Sequence, residues 1–161
     1  MSQHDPLRAR LLQALDWEEA HVSVPRAFAA VSPEHRGRVP SGAPASLWEL
    51  LEHIRVAQHD LLEFCRTPSY EHPDWPAEFW PPDAEPPDER AWERSLERVH
   101  EDLESFRELL ADPSLDLASP VPSGTRDQTH LRSALLLLDH NAYHVGQAVL
   151  VRRLLGIWPP A

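Results

Sequence analysis

The stretch Leu131 to Leu155 reads LRSALLLLDHNAYHVGQAVLVRRLL and decides the fold. It runs to Gly156 without a strong turn signal, which predicts about seven turns of helix. At about 100° per residue, Leu131, Leu135, Leu138, Ala142, Val145 and Val149 share one stripe. His140, His144, Gln147 and Val151 lie roughly opposite, flanked by Leu136, Leu137, Leu154 and Leu155. A helix apolar nearly all round is expected at the centre of a fold. Its two histidines therefore face protein or a protein-lined pocket. A desolvated imidazole must be neutral and hydrogen bonded, or bound to a metal. The i, i+4 spacing lets two imidazoles reach one ion, although the same spacing also serves ordinary core or cap roles.

Working outward, the other segments supply further helices. Asp5 with Pro6 predicts a helix start, with Leu7, Leu11, Leu12 and Leu15 as the buried face. Ser23 before Val24 and Pro25 predicts a short helix reaching Val31, with His21 at the junction; a turn-rich loop follows. Ser46 and Glu49 form a capping-box pattern that opens a long helix, SLWELLEHIRVAQHDLLEF, with Leu47, Leu50, Ile54, Ala57 and Leu61 as its apolar stripe. His53 lies about 80° from the centre of that stripe, at the core boundary, whereas His59 is about 160° away and should face solvent. Between Asp88 and Leu110, Trp92, Leu96, Val99, Leu103, Phe106 and Leu110 repeat at the spacing of bundle packing. His100 lies beside that stripe, where it either approaches a central site or bonds to an acid such as Glu97 or Glu104. The last helix is expected to begin at Thr125 or Asp127, ahead of the leucine run, and it ends with Arg152, Arg153 and Gly156.

Four long helices, a short extra helix at about 23–31 and no alternating strand pattern predict an all-α, four-helix bundle with long crossover loops. The 161 residues are expected to form one domain. The 17 prolines concentrate between the helices, which suggests stiffened connections. The segment 67–87 is long enough to be a functional or covering loop. Its Tyr70, Trp75, Phe79 and Trp80 either pin it over one end of the bundle or line a ligand pocket, and one loop can do both.

The net charge of -11 argues against a nucleic-acid partner, since the 15 basic residues, all arginine, are scattered among 26 acids. No apolar run is long enough to predict a membrane span or a signal peptide. A single cysteine, Cys65, fits a reducing compartment, and a cytoplasmic protein is expected. Cys65 continues the stripe of its helix and reads as a small buried hydrophobe. His130 reads as a cap or surface residue, and His4, His35 and His72 as exposed.

Three segments together, DHNAYHVGQAVLVRRLLGIWPP, SLWELLEHIRVAQHDLLEF and PDWPAEFWPP, resemble the DinB/YfiT-like superfamily of metal-binding helical bundles. The resemblance extends from about Ala20 to Pro160. It implies a three-histidine centre with ligands His53, His140 and His144, and the boundary angle of His53 agrees with this while the outward angle of His59 argues against the rival. It implies one divalent ion, with zinc and nickel the leading expectations and iron or manganese the alternatives. Three imidazoles leave a coordination position open, which suits a catalytic rather than a structural site.

Gln147 is well placed to orient His144, and Glu49 or Asp60 to orient His53. Glu52 and Asp60 are candidates for a general base. Some members of the superfamily join a low-molecular-weight thiol, such as bacillithiol or mycothiol, to an electrophile, and the ion would keep the sulfur deprotonated. A bacillithiol-like molecule carries carboxylates and calls for cations; Arg26, Arg55, Arg126 and Arg132 are the scattered candidates. Arg55, Arg132 and Trp80 are the candidate binding residues for such a small molecule. The alternatives are a hydrolase using metal-bound water and a non-catalytic metal-binding protein. A homodimer is a further expectation from the apolar last helix.

Overall fold

A computed structural model describes residues 5–16 and 18–159. His4 lies outside the described residues. The helices are α1 (Pro6–Ala14), α2 (Val24–Phe28), α3 (Pro33–Arg36), α4 (Leu47–Arg66), α5 (Ala91–Ala111) and α6 (His130–Leu154), with a 3-10 turn at Ala77–Phe79. Among the described residues there is no strand, only an isolated bridge between Pro120 and Thr129. The fold is an all-α bundle built on the three long helices α4, α5 and α6. The first helix completes it but has 9 residues instead of a long run, and α3 replaces a stretch expected to be loop.

Local chemistry explains where the helices begin. The Ser46 hydroxyl accepts from the Glu49 amide and the Glu49 carboxylate accepts from the Ser46 amide, closing the capping box. Loss of such a cap costs about 1 kcal/mol. The Ser46 hydroxyl also donates to the Ala84 carbonyl at 2.6 Å, which fastens the end of the long 67–87 loop to the start of α4. Helix α5 starts at Ala91 and not at Asp88, because the Asp88 carboxylate is engaged by the Arg90 amide and the Arg94 guanidinium in the turn before it. Thr129 caps α6, so the segment expected to open that helix at 125–127 is a turn.

Two apolar clusters stack along the bundle. One joins Phe28, Leu51, Ile54, Trp92 and Val145; the other joins Leu11, Leu62, Phe106, Leu110 and Leu137. Each completely buried aromatic or leucine stabilises by about 1.5–3 kcal/mol in transfer terms. Between the clusters lies a buried polar bridge: the Gln58 amide donates to the Val99 carbonyl at 2.6 Å, and Asn141 donates to the Gln58 side-chain oxygen at 3.2 Å. This bridge ties the middle of α4 to both α5 and α6. At the end of α6, the buried Arg152 donates to the carbonyls of Ala27, Ala29 and Ile157, and its guanidinium lies 5.2 Å from the ring centre of Trp158. The interaction locks the end of α6 onto the last turn of α2 and the residue after it.

The last helix corrects the expectation of all-round burial. Its buried face carries Ala134, Leu137, His144, Val145, Ala148 and Val151, while Leu135, Leu136, Tyr143, Leu150 and Leu154 are exposed along the opposite face. The reason is topological: α6 packs against α4 and α2 on one side. Leu7 is likewise exposed, since α1 is short and presents only Leu11 as a buried residue.

Candidate metal centre

His53 projects from α4, and His140 and His144 from successive turns of α6. Each offers a ring nitrogen, and the three nitrogens lie within 4.8 Å of one another. His53 and His144 are buried and His140 is half-buried. The Nδ1–H of His53 donates to the Phe79 carbonyl at 2.9 Å, and the Nδ1–H of His144 donates to the Gln147 side-chain oxygen at 2.7 Å. In a neutral imidazole this leaves Nε2 as a bare lone pair on each ring. Nε2 of His140 stands 3.1 Å from Nε2 of His53. The lone pairs of His53 and His144, each with its outer nitrogen anchored, converge with Nε2 of His140 on one small volume, an arrangement that suits a divalent cation.

The electrostatics favour the same protonation state. Desolvation pushes His140 down to about 4, with the neighbouring His144 and His53 adding to the effect. Desolvation also lowers His53, against the opposing pull of the Phe79 carbonyl. His144 is lowered chiefly by burial, with Gln147 opposing. Neutral rings are the form that binds a metal, so no proton need be driven off near neutrality.

The long loop completes the site. The Trp80 indole stacks on the His53 ring with centroids 4.0 Å apart and planes 4° apart. Trp75 and Phe79 pack edge to face at 5.2 Å beside it. A cavity of about 440 Å³ opens over the three histidines, lined by Trp75, Phe79, Trp80, Tyr143 and Leu136 and also by Asp60 and Leu61. A second cavity of about 410 Å³ reaches His144 from the other side, between Trp80, Tyr143, Gln147 and Glu49.

The remaining sequence candidates fall in different places. Asp60 lines the larger cavity and accepts from His72 Nδ1 at 2.8 Å. Glu52 does not line it: its carboxylate is engaged by Arg55 and by the Ser95 hydroxyl. Arg55 faces a neighbouring cavity with Trp80, and Arg132 is exposed near the start of α6. Neither Glu49 nor Asp60 orients His53, because a loop carbonyl does so instead. No residue-type signal could have disclosed that partner, since every residue has a carbonyl.

His59 is exposed and pairs with Asp102 at 3.1 Å, and His100 is exposed on α5. His35 is half-buried against Ser32 where exposure was expected. His130 is buried, with Nε2 3.2 Å from the Cys65 carbonyl, and is neither a surface residue nor a cap. Burial pushes the Cys65 thiol up to about 11, as expected of an inert core cysteine.

A helical bundle with three converging imidazoles at its waist defines a class of metal-binding helical protein. A family model described as the DinB superfamily matches residues 7–148, and the chain belongs to that superfamily. No curated protein and no solved structure matches the chain. Among the described residues, no helix is long and apolar enough to cross a membrane.

The depressed histidines give the metal-free protein a defined pH response. Between the ordinary histidine value of about 6.5 and the lower folded values, the unfolded chain binds more protons, so stability rises with pH. The contribution is complete above about pH 6.5 and is lost as pH falls toward about 4, where His140 charges. Urea midpoints of chelated protein should therefore fall between pH 7.5 and pH 5, and His140→Ala should flatten that slope. An unchanged slope in the variant would contradict the role assigned to burial.

Proposed function

We propose that the protein is a divalent-metal-dependent enzyme whose ion is held by His53, His140 and His144, and that it joins a low-molecular-weight thiol to an electrophile. The observation that carries this reading is the meeting of two cavities at the histidine cluster, since both share Trp80, Tyr143 and His144. A group transfer needs a place for each of two reactants. When bound, a divalent ion would supply Lewis acidity that keeps a thiol deprotonated near neutral pH. Zinc and nickel suit three imidazoles, and iron and manganese are the other candidates.

The chain's own residues would do the rest. Phe79 and Gln147 hold the rings of His53 and His144 in register. Trp80 shields the back of His53 from water, and Trp75 narrows the entrance to the larger cavity. Among the described residues no arginine lines either cavity, and Arg55 is committed to Glu52. A neutral thiol therefore fits better than a bacillithiol-like one bearing several carboxylates. Hydrolysis is the second reading, favoured by the presence of Asp60 as a carboxylate in the larger cavity.

The exposed leucines and Tyr143 on α6 suit pairing with a second copy of the chain, and the free, buried Cys65 is compatible with the reducing cytoplasm.

Protein loaded in turn with zinc, nickel, iron and manganese, then given a neutral thiol and a fluorogenic alkylating electrophile, should turn over with at least one ion. His144→Ala should lower the rate by at least about 100-fold and His59→Ala should leave it within about twofold. Absence of turnover with every ion would remove the transferase reading. Light scattering should give twice the chain mass, reduced to one chain by Leu150→Glu; a monomer at high concentration would remove the pairing.

A further inference from the structure

Two of the three ligand rings have their outer nitrogens fixed: Nδ1–H of His53 donates to the Phe79 carbonyl and Nδ1–H of His144 to Gln147. The Nδ1 of His140 has no such partner among the described residues, while its Nε2 stands 3.1 Å from Nε2 of His53. A neutral imidazole carries one proton and can keep it on either nitrogen. On Nε2 of His140 the proton would bridge to His53 and close the cluster to an ion. On Nδ1 it would leave the Nε2 lone pair free, and that position calls for an acceptor beside the ring.

The next residue supplies an acceptor in want of a donor. Oδ1 of Asn141 is buried and meets no donor in good hydrogen-bond geometry, yet the Asn141 side chain is near enough to favour a proton on the His140 ring, opposing the effect of burial. Its orientation is dictated from α5. The Val99 carbonyl can only accept, so the completely buried Gln58 turns Nε2 to it at 2.6 Å and presents Oε1 to Asn141. That oxygen takes Nδ2 of Asn141 at 3.2 Å, which leaves Oδ1 as the free end of the amide. Among the described residues, the other buried side-chain polar atoms without a partner are Ser133 Oγ and Arg152 Nε. Ser133 lies about 10 Å from His140 along the helix axis, and Arg152 Nε is a donor. An unpaired buried acceptor is costly to a fold. Here the ring that lacks an anchor adjoins the oxygen that lacks a donor.

We infer that Asn141 is the positioning residue of the third ligand: its Oδ1 takes the Nδ1–H of His140 when an ion occupies the centre, and Gln58 and the Val99 carbonyl hold that oxygen in place. Helix α5 carries none of the three histidines, yet through this relay its backbone sets the tautomer in which His140 Nε2 is free to ligate. Every donor in the chain then points the same way, from His140 through Asn141 and Gln58 to Val99, and bonds aligned in this way reinforce one another. The relay also accounts for a pair of amides standing between two apolar clusters. The inference rests on the three-histidine centre and not on the reaction proposed there.

The test measures zinc affinity by competition with a chromophoric chelator, and the histidine ring N–H groups of the zinc-loaded protein by proton–nitrogen NMR. In the native protein all three Nδ1–H groups should be protected from exchange with water. Asn141→Ala should weaken zinc by at least about tenfold and open the His140 Nδ1–H to exchange, with those of His53 and His144 unchanged. Asn141→Asp returns an acceptor to the same place and should restore both the affinity and the His140 signal. Gln58→Leu, which frees the Asn141 amide to turn, should weaken zinc by several-fold. Val151→Ala, a loss of buried packing about two turns beyond His144, should leave the affinity within about twofold. An Asn141→Ala protein that binds zinc as tightly as the native one, or that loses affinity with the His140 signal intact, would overturn the inference while the metal centre stands. If Asn141→Ala loses all three signals together, Asn141→Asp decides, since failure to restore the His140 signal overturns the inference. Native protein that holds no zinc would remove the metal centre itself and this relay with it.

Discussion

Three imidazoles buried against one another can persist in a folded protein only if they are neutral, and neutral rings so close together need something to receive their lone pairs. That constraint organises the middle of this molecule. It requires α4 and α6 to run side by side in a fixed register, so that His53 meets His140 and His144. It requires outer nitrogens to be satisfied, which Phe79 does for His53 and Gln147 for His144. It also requires a neighbouring polar link that does not compete for the same volume, and the chain of Asn141, Gln58 and the Val99 carbonyl provides one. The apolar clusters above and below hold this waist in place.

Charge is distributed so that the site has little positive potential from the chain itself. Several arginines are taken up by acids outside the site: Arg94 with Asp88, Arg36 with Glu93, Arg66 with Glu63 and Arg55 with Glu52. Arg152 is buried but bonded only to carbonyls and locks the end of α6. Asp60 is left as the carboxylate of the larger cavity. The chemistry of the ligand thus follows from where arginine is absent as much as from what is present.

The long helices were legible because each has a periodic apolar stripe and a recognisable cap. The Ser46 and Glu49 box fixed the start of α4, and the angle between His53 and His59 separated the inward from the outward ring. Thr125 and Asp127 imitate caps and place the start of α6 too early in the sequence, while the actual cap is Thr129. Leucine reads as core in any helix, yet Leu135, Leu136, Leu150 and Leu154 of α6 are exposed because the bundle covers only one side. Partners made by main-chain carbonyls, as at Phe79 for His53 and Cys65 for His130, leave no trace in residue type. Residue type shows an aromatic loop near a pocket and not the stacking of Trp80 on His53.

The account stands on the three histidines sharing one ion, and the direct measurement is X-ray absorption on the zinc-loaded protein. It predicts about three imidazole nitrogens at about 2.0–2.1 Å and a remaining oxygen donor from solvent, with the imidazole signal reduced in His53→Ala, His140→Ala and His144→Ala alike. A spectrum dominated by sulfur or carboxylate ligands, or one unchanged by all three substitutions, would contradict it.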